Sequence, residues 1–146
     1  MARLAGYSGK SLASKLGLAP DQRIAFVAVP ATVRETIGPL PSGARVLARV
    51  GSSLDLVLLC ARRAAELDGA LWKLTAALAP AGMLWIGWPK KSAGVTTDLT
   101  EDVVRRHGLA AGLVDVKVCA IDHVWSGLKF VRRLRDRPST GSSRNT

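Results

Sequence analysis

The spacing of apolar residues changes period along this chain, and each change predicts a new element. Residues 24–29 form a continuous apolar run with β-branched members between Asp21 and Pro30, the pattern of a strand buried on both faces. Residues 45–50 alternate charged and apolar side chains, as a half-buried strand at a sheet edge does. Residues 54–61 are apolar throughout and belong at the sheet centre. Residues 83–88 read as a fourth strand. Two more are predicted over 114–121 and 128–134, joined through residues 122–127 closely enough for an antiparallel pair.

Helical spacing fills the intervals. Leu12 and Leu16 share one face of a short helix over 11–17 that ends at Gly17, and another short helix covers 32–37 before Gly38-Pro39. Ala64, Leu67, Leu71, Leu74 and Leu78 recur at helical spacing until Pro80-Ala-Gly82 stops the helix and turns the chain back. Asp98 and Glu101 have the spacing of a capping box and predict a helix running to about Ala111. Alternating strands and helices give an α/β fold with three layers, a mixed sheet of about six strands that is mostly parallel with an antiparallel last strand. One domain is expected over residues 1–134. The Ser- and Arg-rich stretch 135–146 cannot support a packed core and reads as a disordered tail.

Composition narrows the function classes. No apolar run approaches the roughly 18 residues of a membrane span, and the first residues lack the apolar centre of a signal peptide, so a cytoplasmic protein is expected. Cys60 and Cys119 lie inside apolar strands, where a free cysteine acts as a small hydrophobe. The formal net charge of +10 favours anionic partners. Lys129, Arg132, Arg133, Arg135 and Arg137 concentrate much of it near the carboxyl end, which makes nucleic acid an alternative partner to an anionic small molecule or a protein. Phe130 is the only aromatic among those bases, so the aromatic row of a single-strand binder is missing.

Candidate chemistry gathers at one edge. Crevices in an open α/β sheet form outside the carboxyl ends of its strands, and helix amino termini there attract anions. Trp88-Pro-Lys-Lys91 runs out of the fourth strand shortly before the helix expected at Asp98, and the Asp122–Ser126 segment should reach the same edge. Pro30, Lys90, Lys91, Asp98, Asp122, Trp125 and Ser126 are therefore the candidate ligand-binding residues. Asp98 is first a helix cap, Trp125 a core or lid residue, and His123 a surface residue, because adjacency to Asp122 and Ser126 is not triad geometry. Gly9-Lys-Ser11 has Leu4 where a phosphate-binding loop needs glycine, and reads instead as a helix entry capped by Ser11. The histidines and cysteines have no metal-site spacing, so no metal is expected; no cofactor is expected either, because no glycine-rich cradle follows Val29.

From Asp55-Leu-Val-Leu-Leu59 through Leu78-Ala-Pro-Ala-Gly82 and Met83-Leu-Trp-Ile86 to Trp125-Ser-Gly-Leu-Lys-Phe-Val131, the chain resembles the carboxyl half of the class I S-adenosylmethionine-dependent methyltransferase fold, a Rossmann-like architecture. Tyr7-Ser-Gly9, Gly38-Pro-Leu-Pro41, Trp88-Pro-Lys-Lys91, Thr97-Asp-Leu-Thr-Glu-Asp-Val103, Lys117-Val-Cys-Ala-Ile-Asp122 and Trp125-Ser-Gly127 are similar to a family of small bacterial proteins classed as a domain of unknown function. The first resemblance implies a cofactor held by a glycine-rich loop after the first strand and by a carboxylate ending the second. Here Val29 is followed by Pro30-Ala-Thr-Val33, and Arg49-Val-Gly-Ser-Ser53 carries no carboxylate. A degenerate, non-catalytic binding or regulatory module is the expectation. A divergent methyltransferase or a hydrolase at the same edge is the alternative.

Overall fold

The computed structural model describes residues 10–136, except for the side chain of Arg135. In chain order the elements are α1 (Leu12–Leu16), β1 (Arg23–Val27), α2 (Ala31–Ile37), β2 (Arg45–Val46), β3 (Leu54–Cys60), α3 (Ala64–Ala77), β4 (Leu78–Pro89), α4 (Glu101–Ala110), β5 (Leu113–Ala120) and β6 (Trp125–Arg132). The strands form a six-stranded sheet in the order β2-β1-β3-β4-β6-β5. β2, β1, β3 and β4 are parallel, and β6 is inserted antiparallel to both β4 and β5. This is the mixed, mostly parallel α/β sheet anticipated from the apolar pattern.

Period-two alternation sorts the side chains onto two faces. Leu84, Ile86 and Trp88 of β4 join Leu128 and Phe130 of β6 beneath α3 and α4. Trp85 faces the opposite layer with Leu56 and Leu58 of β3, Leu12 and Leu16 of α1, and Val33 and Ile37 of α2. That second layer is fastened across the chain, since the buried Trp85 Nε1 donates to the Leu16 carbonyl at 2.8 Å. Two glycines permit close packing around β6. A Cβ on Gly108 of α4 would overlap the Phe130 ring, so only glycine lets the helix lie this close to β6; at Gly127 a Cβ would meet Ile121 and Trp85.

Several boundaries differ from expectation for local reasons. β2 is confined to Arg45–Val46, because the chain bends after pairing with Arg23 and Ile24, and Leu47 and Val50 then turn toward the same core layer. The Pro80-Ala-Gly82 segment does not separate helix from strand. Leu78 already pairs with Leu54, and the extra residues are absorbed as an irregularity before Met83 pairs with Leu56. β6 begins at Trp125, so Trp125 and Ser126 are strand residues opposite Pro89 and Trp88, and the connecting turn is tighter than residues 122–127. Leu134–Asp136 form a single 3-10 turn; Arg137 and the rest of the expected tail lie outside the described residues.

Candidate functional site

The sheet has a topological switch point between β1 and β3, from which one connection leads outward to β2 and the other to β4. β1 ends at Val27, and Ala28, Val29 and Pro30 pass directly into α2. Ala28 takes a left-handed conformation at φ 56, which favours glycine over alanine. Pro30 precedes α2 with no side-chain cap. On the other side of the switch point β3 runs into Ala61-Arg62-Arg63 and then α3. Both arginines are exposed, and apolar periodicity could not single them out. Their signal was nonetheless present, as two cations directly after a buried strand and directly before a helix.

One strand further along, Lys90 follows β4 and Lys91 opens a 3-10 turn that closes at Gly94. The Lys90 amide donates to the Val124 carbonyl at 2.6 Å, which ties the lysine pair to the β5–β6 turn. Lys90, Lys91, Asp122, Trp125 and Ser126 therefore meet at one edge, and Pro30 sits apart across β3. Among the described residues, none of Arg62, Arg63, Lys90 and Lys91 enters an ion pair.

The acidic candidates have structural partners. Asp98 does not cap the helix that follows it: Thr100 does, its hydroxyl accepting the Val103 amide at 3.2 Å. The Asp98 carboxylate instead accepts the Ala64 amide at 2.8 Å, and the Thr97 hydroxyl donates to the Arg62 carbonyl at 2.6 Å. The lead-in to α4 thus finishes the amino terminus of α3. Asp122 shapes its own turn by accepting the Val124 and Trp125 amides at 2.8 and 2.7 Å. His123 is exposed and makes no hydrogen bond to Asp122 or Ser126 among the described residues. Trp125 is 5% exposed and belongs to the core beneath α1 and α2 rather than to a lid.

Both thiols are free. Burial pushes the Cys60 thiol up to about 12, and the nearby Asp122 carboxylate adds to the effect. Cys60 is thus a protonated packing residue at neutral pH. Burial also raises Cys119, opposed by Lys15 and Lys117. Among the described residues no group of three or more His, Cys, Asp or Glu could hold a metal ion. No helix among them is long and apolar enough to cross a membrane.

The basic residues near the carboxyl end do not form one face. Lys129 points toward the α1 side of the sheet opposite Lys117, and burial together with that neighbour depresses its pKa. Arg132 points the other way and donates to the Thr75 and Leu78 carbonyls at 2.8 Å each, where α3 passes into β4. Arg133 is half-buried, the Arg135 side chain is not described, and Arg137 lies outside the described residues.

No family model matches the sequence, and no curated protein matches it. Solved structures do match the fold. A SAM-dependent methyltransferase from Aquifex aeolicus is 13% identical, with a TM-score of 0.57 over 80% of this chain and 85% of that one. Magnesium protoporphyrin IX methyltransferase from Synechocystis, solved with bound SAM, is 12% identical, with a TM-score of 0.53 over 84% of this chain and 74% of its own. The pyocyanin biosynthetic protein PhzM is 11% identical, with a TM-score of 0.59 over 84% of this chain, which spans only 54% of it. The chain has the fold of the class I methyltransferases. At these identities the likeness extends to the fold alone.

Proposed function

We propose that the chain is a non-catalytic binding module that holds an anionic ligand, phosphate-bearing or carboxylate-bearing, across the carboxyl ends of β3 and β4. The observation that carries this reading is the set of four cations, Arg62, Arg63, Lys90 and Lys91, that follow neighbouring strand ends and have no ion-pair partner among the described residues. Guanidinium groups suit planar bidentate contacts, and the lysines add point charge. Methyl transfer is set aside because the connection after β1 contains Ala28, Val29 and Pro30 where a cofactor cradle needs glycine, and because no carboxylate follows β2.

Calorimetric titration with inorganic pyrophosphate tests the reading. Binding should be present in the wild type and fall at least tenfold in Lys90→Gln/Lys91→Gln and in Arg62→Gln/Arg63→Gln, a loss of about 1.4 kcal/mol. Equal affinity in all three proteins would defeat it. A thermal shift with S-adenosylmethionine separates the rival enzyme reading, for which stabilisation is required. The cross-strand pair Lys117 and Lys129 supports a second reading, nucleic acid on the α1 side of the sheet, because like charges held directly opposite invite a bridging polyanion. RNA binding that weakens steeply with salt and is lost in Lys117→Glu/Lys129→Glu would favour it.

A further inference from the structure

Helix α3 has a second apolar stripe that its own fold does not use. Leu67, Leu71 and Leu74 face the core, whereas Ala65, Gly69, Trp72 and Ala76 are exposed and spaced four, three and four residues apart. That is the period of a helix-packing seam. Trp72 is 69% exposed at its centre, although Trp85, Trp88 and Trp125 are all buried. Gly69 lies in the helix interior, where glycine costs about 1 kcal/mol relative to alanine. A Cβ there would meet nothing within 4 Å, so no contact among the described residues requires glycine. Beside the stripe, Leu71, Trp72, Ala76, His107, Ala110 and Ala111 line part of an open, largely apolar cleft of about 430 Å³ between α3 and α4.

We infer that this face pairs with a second copy of the chain through an antiparallel α3–α3′ contact on a two-fold axis. A two-fold interface must be self-complementary, and this stripe is. In the antiparallel arrangement each Trp72 lies opposite Gly69 of the other copy, and each Ala65 opposite Ala76, so a large side chain meets an open position in every central layer. A parallel pairing would oppose the two indoles and the two glycines. Along one flank the antiparallel contact brings Glu66 of each copy beside Lys73 of the other, giving two reciprocal opposite-charge pairs. A single helix pair buries little surface, so the dimer is weak and forms in the micromolar range or above.

Sedimentation equilibrium of the full chain across a wide concentration range tests the inference. The wild-type mass should rise from 15.4 kDa toward twice that value, with the Trp72-dominated red edge of the fluorescence shifting blue in parallel. Gly69→Gln, which favours the helix but blocks close approach, should remain monomeric at every concentration with unchanged circular dichroism. Glu66→Lys should weaken the dimer, and Glu66→Lys/Lys73→Glu should restore it. A wild type that stays monomeric, or a dimer that survives Gly69→Gln, overturns the proposal, and so does a double charge exchange without rescue. Folding is read separately, so a variant that lost structure would be recognised, and the charge exchange still decides the question.

Discussion

The two halves of the sheet are built to different scales. On one side of the switch point, β1 has five residues, α2 seven and β2 two. On the other, β3 has seven, α3 fourteen and β4 twelve, and a complete β5–β6 pair closes the edge. The short half contains the loop and strand end from which a nucleotide cradle would be made. The long half contains most of the core and, at its strand ends, Arg62, Arg63, Lys90 and Lys91, which enter no ion pair among the described residues. Fold similarity alone does not transfer an activity, because activity lives in the site and not in the framework.

The largest expected difference between the halves is in packing. Leu84→Ala removes a fully buried side chain between two strands and should cost about 4 kcal/mol, whereas Ile37→Ala in the thin α2 layer should cost about 2 kcal/mol because that layer can close over the gap. Equal losses in urea denaturation would break the comparison. Helix glycines give a sharper contrast. Gly108→Ala drives a methyl into Phe130 and should destabilise by about 3 kcal/mol, while Gly69→Ala should stabilise the monomer by up to about 1 kcal/mol; thermal denaturation of dilute protein reads both. Asp98→Ala should cost about 1 kcal/mol through α3, although Asp98 precedes α4, and hydrogen exchange should show the loss at the Ala64 amide.

At the strand ends, Cys60 should resist alkylation at pH 8 while Cys119 reacts faster, since burial is the main cause of both upward shifts and is deeper at Cys60. Comparable rates in the folded protein would contradict the packing of the β3 end. The Cys60 thiol also makes stability fall as pH rises from the unfolded thiol range toward about 12, because the folded state holds the proton longer. The smallest effect belongs to Asp115. Its hydrogen bond from Arg105 at 2.9 Å is the main cause of a depressed pKa. The resulting stabilisation is present above the unfolded carboxylate range and is lost as pH falls through the folded value. Asp115→Asn should flatten the acid limb of the stability curve slightly and leave the alkaline limb unchanged.

The apolar pattern disclosed the long half best. Buried strands with β-branched runs and a helix with Leu67, Leu71 and Leu74 on one face are signals of core burial, and core burial decides where they lie. Ser11 and Gly17 likewise mark the ends of α1 by local chemistry, the serine hydroxyl accepting the Ser14 amide. What local pattern could not reveal was action at a distance. Asp98 and Glu101 have capping-box spacing, but the carboxylate reaches a helix 34 residues earlier. Arg132 looked like one more cation in a basic run, yet it terminates α3. At the candidate site the sequence placed Lys90, Lys91, Asp122, Trp125 and Ser126 together through strand order alone. It missed Arg62 and Arg63, whose value depends on lying beside the switch point.

The position of β6 has a consequence for how the protein is made. The last strand among the described residues pairs on both sides, one position in from the sheet edge, between β4 and β5. A nascent chain that has emerged only as far as β5 therefore carries an unpaired, strongly apolar β4 flank, with Trp85, Ile86 and Trp88 deprived of their covering neighbour. Open edges of that composition recruit other chains. Synthesis that stalls before Trp125 should accordingly yield aggregation-prone fragments and a strong dependence on chaperones, whereas release of the finished strand lets the sheet close on itself.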